Sequence, residues 1–108
     1  MKFLTFTFSL LLLTSCTKDK AETVLVCPDT ISFSTQILPM ITDNCTGCHG
    51  SNGMYPIITN HSEIAANATK ISKSVHGSTT LMPMGGSQLA DSLIQQFDCW
   101  VKQGKLDN

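Results

Sequence analysis

The segment Cys45-Thr46-Gly47-Cys48-His49 constrains this chain more than any other stretch of it. It reads C-x-x-C-H, the attachment pattern of a c-type haem. On a helical turn, residues three and four apart are neighbours, so Cys45, Cys48 and His49 share one face. Two thiols so placed can add to the two vinyl groups of one porphyrin, and the imidazole can turn a ring nitrogen to the iron. Two other chemistries use a C-x-x-C pair. A structural zinc site needs a second pair of ligands at short spacing, whereas His61 and His76 stand far apart in the chain. A thioredoxin-like pair needs a βαβ context, and no strand-like apolar runs flank the motif.

The N-terminus reads as an export signal. Lys2 precedes an apolar run from Phe3 to Leu13, followed by Thr14, Ser15 and Cys16. A basic residue, a short apolar core and small residues before a cleavage point form a secretory signal peptide over residues 1–15. The run is too short to span a bilayer as a helix. Leu13-Thr14-Ser15-Cys16 resembles the bacterial lipobox, which implies that Cys16 becomes the lipidated first residue of the mature chain. A plain signal with an incidental Cys16 is the alternative. Residues 16–30 then comprise the lipidated cysteine and a polar tether, and residues 31–108 one small domain. An exported, periplasmic or outer-surface location follows, with the membrane reached through the lipid.

Removal of the signal takes Phe3, Phe6 and Phe8 with it, leaving Phe33, Tyr55, Phe97 and Trp100 as the aromatic residues. A domain this small is only marginally able to stabilise itself by burial, so a large apolar cofactor would supply what the side chains lack. Arginine is absent and the lysines form no cluster, which argues against nucleic-acid binding. Five cysteines are an odd number for an exported chain. Assigning Cys16 to lipid and Cys45 and Cys48 to haem leaves Cys27 and Cys99. An oxidising compartment allows these two to pair; two free buried thiols are the alternative.

Three helices are expected. Ile37, Leu38, Ile41 and Cys45 fit one helix face over roughly residues 35–46, with Ser34 as N-cap and Pro39 kinking the helix or delaying its start. Ile31 to Phe33 is expected to be extended. A glycine-rich loop follows the motif, and the Pro56 carbonyl is the expected acceptor for the second ring nitrogen of His49. A middle helix over about 62–74, capped by Asn60 or Ser62, carries the stripe Ile64, Ala68, Ile71 and Val75; Lys70 and Lys73 suit the negative end of its dipole. His61 and His76 read as surface or cap residues. A last helix over about 88–103, capped by Ser87, carries Leu89, Leu93, Ile94, Phe97, Trp100 and Val101 and stops at Gly104. Between the last two helices lies Leu81-Met82-Pro83-Met84-Gly85-Gly86, a non-helical stretch rich in sulfur.

The order of helix, C-x-x-C-H, glycine-rich loop, middle helix, Met-Pro loop and Trp-containing last helix resembles the small class I cytochromes c. It resembles especially their bacterial outer-surface or periplasmic lipoprotein versions, which carry a Met-Pro-Pro-Gly-Gly loop and a Trp-containing last helix ending in Ala-Gly or Gln-Gly. The resemblance covers about residues 31–108. It implies an all-α cytochrome c fold, three main helices wrapped around one covalent haem c. It also implies thioethers at Cys45 and Cys48, iron ligation by His49 and Met82, and contact between the first and last helices near Ile37 and Trp100. Met84 stands where the family has a second proline, which makes Met84 the nearest rival ligand and His76 the next. The function implied is transfer of single electrons between redox partner proteins, without enzymatic turnover of a small-molecule substrate. A haem enzyme or gas sensor with an open distal site, and a haem-bearing docking module of a larger complex, are the alternatives.

Overall fold

A computed structural model describes residues 24–108; the expected signal peptide and Cys16 lie outside the described residues. The first helix begins earlier than its apolar periodicity suggests. Phe33–Ile37 forms a π-helical turn that runs straight into α1, Leu38–Asn44. Ser32, not Ser34, is the cap: its backbone is extended and its hydroxyl accepts from the Thr35 N–H. The start moves because distant groups satisfy the N–H groups that a helix leaves unpaired at its first turn. Phe33 N–H donates to the Asn108 side chain at 2.8 Å, and Ser34 N–H to the Asn108 backbone oxygen at 2.9 Å. Pro39 falls in the first turn of α1, directly after the wider π turn, where its missing N–H is tolerated.

Cys45 leaves helical geometry, and α2, Thr46–His49, begins directly after it. Helix α3, His61–Val75, is capped by Asn60, whose side chain accepts from the Glu63 N–H. Glu63 reaches back to accept from both the N–H and the hydroxyl of Thr59, which holds its carboxyl below the usual range. These reciprocal bonds resemble a capping box shifted by one residue. Helix α4, Asp91–Lys102, starts later than expected, and Ser87 does not cap it. Residues 87–90 are kept out of the helix by tertiary contacts: Leu89 is buried, and the Gln88 side chain donates to the Val75 carbonyl at the end of α3. At the other end Gly104, with φ +97°, sits at C′. Lys105 N–H donates to the Trp100 carbonyl and Gly104 N–H to that of Val101, the Schellman arrangement.

The described residues contain no strand; the fold is a small all-α globule of about three main helices. The first helix and α3 both pack against α4. The core draws Ile37 and Ile41 from the first helix, Ile64, Ala68, Ile71 and Val75 from α3, and Ile94, Phe97 and Trp100 from α4. Phe33 lies against Trp100 with ring centroids 5.7 Å apart, so the first and last helices do meet. His61 is more than a surface residue: its ring stands perpendicular to those of Phe33 and Trp100 and its Nε2 donates to the Lys105 carbonyl. No helix among the described residues is long and apolar enough to cross a membrane.

Cys27 and Cys99 are joined in a disulfide, with their Cα atoms 5.5 Å apart. The described part of the expected tether, residues 24–30, has no regular structure and runs along α4. Gln95, Lys102 and Gln103 donate to the carbonyls of Val26, Leu25 and Asp29. The bridged residues are 72 apart in sequence, so the chain-entropy model credits the cross-link with at most about 4 kcal/mol. A Cys27→Ala/Cys99→Ala protein is expected to unfold at lower denaturant with a slope no smaller than that of the parent, because the uncrosslinked chain exposes more surface when unfolded. An unmoved midpoint would show that the cross-link adds nothing to stability.

Candidate cofactor site

Cys45, Cys48, His49 and Met82 line one cavity of about 520 Å³, within the range of small-molecule and cofactor sites. Its walls come from four places. Helix α2 and the residue before it supply the two thiols and the imidazole. The following loop supplies Met54, Pro56 and Ile58. Helix α3 supplies Lys70, Ile71, Lys73, Ser74 and Val75, and the loop beyond it Thr79, Thr80, Met82, Pro83 and Met84. The lining is mostly apolar, and both cysteines are free thiols. Burial pushes the Cys45 thiol up to about 11, so it is protonated at neutral pH, unlike the activated thiolates of redox pairs. Nor is a zinc site present: among the described residues no three His, Cys, Asp or Glu side chains gather as a metal would require.

His49 is oriented from behind. Its Nδ1 lies 3.0 Å from the Met54 carbonyl and 3.0 Å from the Pro56 carbonyl. Carbonyls only accept, so Nδ1 carries the proton, and in the neutral ring Nε2 keeps a free lone pair. An outer hydrogen bond of this kind fixes tautomer and ring direction in metal-ligating histidines. Pro56 was legible as an acceptor from its place after the motif. Met54 was not, because its carbonyl reaches His49 only once the loop has turned. That turn needs Gly53, where a Cβ would overlap the Cys48 carbonyl. Met54 N–H donates to the same Cys48 carbonyl at 2.7 Å, which brings residues 53–54 back over the motif.

The Met-Pro loop separates the rival sulfurs. Gly86 N–H donates to the Pro83 carbonyl, and Gly85 has φ +72°. This is a turn with Met84 and Gly85 at its corners, and only a residue free to take positive φ suits the second. Met84 is thrown outward at the first corner and is 65% exposed. Met82 is half-buried, and its N–H donates to the Ser74 carbonyl at 3.1 Å. His76 does not line the cavity; its Nε2 is 2.7 Å from Asp98, whose other oxygen accepts from Ser72. Lys70 and Lys73, legible in the sequence only as dipole partners, stand on the cavity wall. No family model, curated protein or solved structure matches the chain.

An apolar slot of this volume, two free thiols three residues apart, an imidazole held with one nitrogen free, and a thioether on another wall form a donor set that fits a covalent porphyrin. The residues that would hold it are Cys45 and Cys48 through thioethers and His49 and Met82 through the metal.

Proposed function

We propose that the chain is an electron carrier of cytochrome c type, folded around one covalent haem c with His49 and Met82 as axial ligands. The observation that carries this reading is the convergence of Cys45, Cys48, His49 and Met82 on one apolar cavity, with the His49 ring already fixed by two carbonyls. When bound, the haem supplies a one-electron iron couple. The protein's part is to exclude water with Ile58, Ile71 and Val75 and to keep the imidazole from rotating. It also offers a soft sulfur that favours the reduced metal. Two axial donors leave no coordination position for a substrate, which separates a carrier from an enzyme or gas sensor. Redox partner proteins, rather than a small-molecule substrate or a nucleic acid, are the expected contacts. Export and a lipid anchor at Cys16 complete the proposal.

The test is a mass spectrum of the mature protein, denatured, from a host that exports and matures haem proteins. The expected mass is that of residues 16–108 carrying lipid on Cys16 and one haem. Haem stripped entirely by acid–acetone would overturn the covalent assignment. A mass without lipid would overturn the anchor.

A further inference from the structure

We infer that Lys70 and Lys73 form the carboxylate-binding pair of the cavity and hold the two propionate groups of the porphyrin. The inference rests on the haem reading and extends it to residues that the attachment motif does not name. Among the described residues that line the cavity only these two carry charge, and none of those residues is an acid. They stand three apart on α3, one turn from each other on the same face, with Cβ atoms about 5–6 Å apart. A porphyrin is an apolar plate with two carboxylates. An apolar slot accepts the plate, but the carboxylates need donors or solvent, since an unpaired buried charge is very costly. The vinyl groups are committed to Cys45 and Cys48 on the α2 wall, and the propionates occupy a different edge of the ring. The cations come from a different wall, that of α3.

Both lysines are exposed at the mouth. A lysine lays its methylenes along apolar surface and carries its charge to the water boundary, which suits a carboxylate held at the rim. Lys70 is steadied across that rim: its Nζ is 5.4 Å from the centroid of the Tyr55 ring, and Tyr55 lies between the two residues whose carbonyls hold His49. The helix dipole accounts for Lys73 in the last turn of α3. It fades within that turn and does not account for Lys70, nor for both cations facing the cavity.

The test compares the loaded full-length protein with Lys70→Met/Lys73→Met, which keeps the stems, and with Lys70→Arg/Lys73→Arg, which keeps the charge. Potentiometric titration from acid to neutral pH reads the proton affinity of the haem carboxylates. The Met pair is expected to raise that affinity about tenfold and to lower the reduction potential, and the Arg pair to stay at the wild-type values. The wild-type profile should also weaken its distinction from the Met pair as salt is added. A Met pair with haem attached by mass and a titration matching wild type would sink the inference while leaving the haem reading intact. A wild-type mass without covalent haem would overturn both. Should the double variant fail to accumulate, Lys70→Met and Lys73→Met singly are each expected to give a smaller shift in the same direction, and no shift in either would count against the pair.

Discussion

Met82→Ala is expected to abolish the sulfur-to-iron charge-transfer band of the oxidised protein and to turn the reduced protein into a tight carbon monoxide binder. Met84→Ala and His76→Ala are expected to leave both properties as they are. The reason lies in the loop. Met82 is tied to the end of α3 through its N–H to Ser74, and its side chain lines the cavity. Met84 borders the cavity too, but from the outer corner of a turn, largely in solvent. Drawing it inward would unwind the turn that Gly85 closes. His76 would have to leave Asp98, and Ser72 would then be left as the remaining partner of that carboxylate from α3. Loss of the band in Met84→Ala instead would transfer the ligand assignment to that residue. Avid carbon monoxide binding by the unaltered protein would overturn Met82 as a ligand and, with it, the electron-carrier reading.

Trp100→Ala is expected to destabilise the protein by about 3–5 kcal/mol, a large share of the total for a domain this small. Trp100 is 0% exposed. Its ring lies 5.7 Å from Phe33, 5.5 Å from Phe97 and 5.9 Å from His61, centroid to centroid. Its Nε1–H donates to the Leu106 carbonyl at 2.9 Å. Truncation would open a cavity where the first and last helices meet and would leave that carbonyl without its partner. Trp100→Phe should recover much of the packing but not the hydrogen bond, and so fall between the two. Denaturant titration of the three proteins checks the order. A loss below about 1 kcal/mol for the alanine variant would mean the helices can collapse onto the gap.

Local chemistry set what the sequence could determine. Thiol and imidazole spacing at Cys45, Cys48 and His49 depends only on one helical turn, so their gathering on one wall of the cavity was legible. So were the stripe Ile64, Ala68, Ile71 and Val75, which follows helical period, and the stop at Gly104, which needs positive φ. The pairing of Cys27 with Cys99 followed from counting cysteines, although counting alone left two free thiols as an alternative. What depended on partners far along the chain was decided by tertiary structure. Asn108 supplies acceptors to Phe33 and Ser34, so the first helix is capped by Ser32 rather than Ser34. Burial of Leu89 and the bond from Gln88 to Val75 delay α4 past Ser87. Asp98, on another helix, takes His76 away from the cavity. The second acceptor for His49 and the cavity-side placement of Lys70 and Lys73 likewise exist only after the loops close. A periodic pattern names the face of a helix that is buried, but a hydrogen bond across the fold decides where that helix begins and which polar side chains remain free to bind something else.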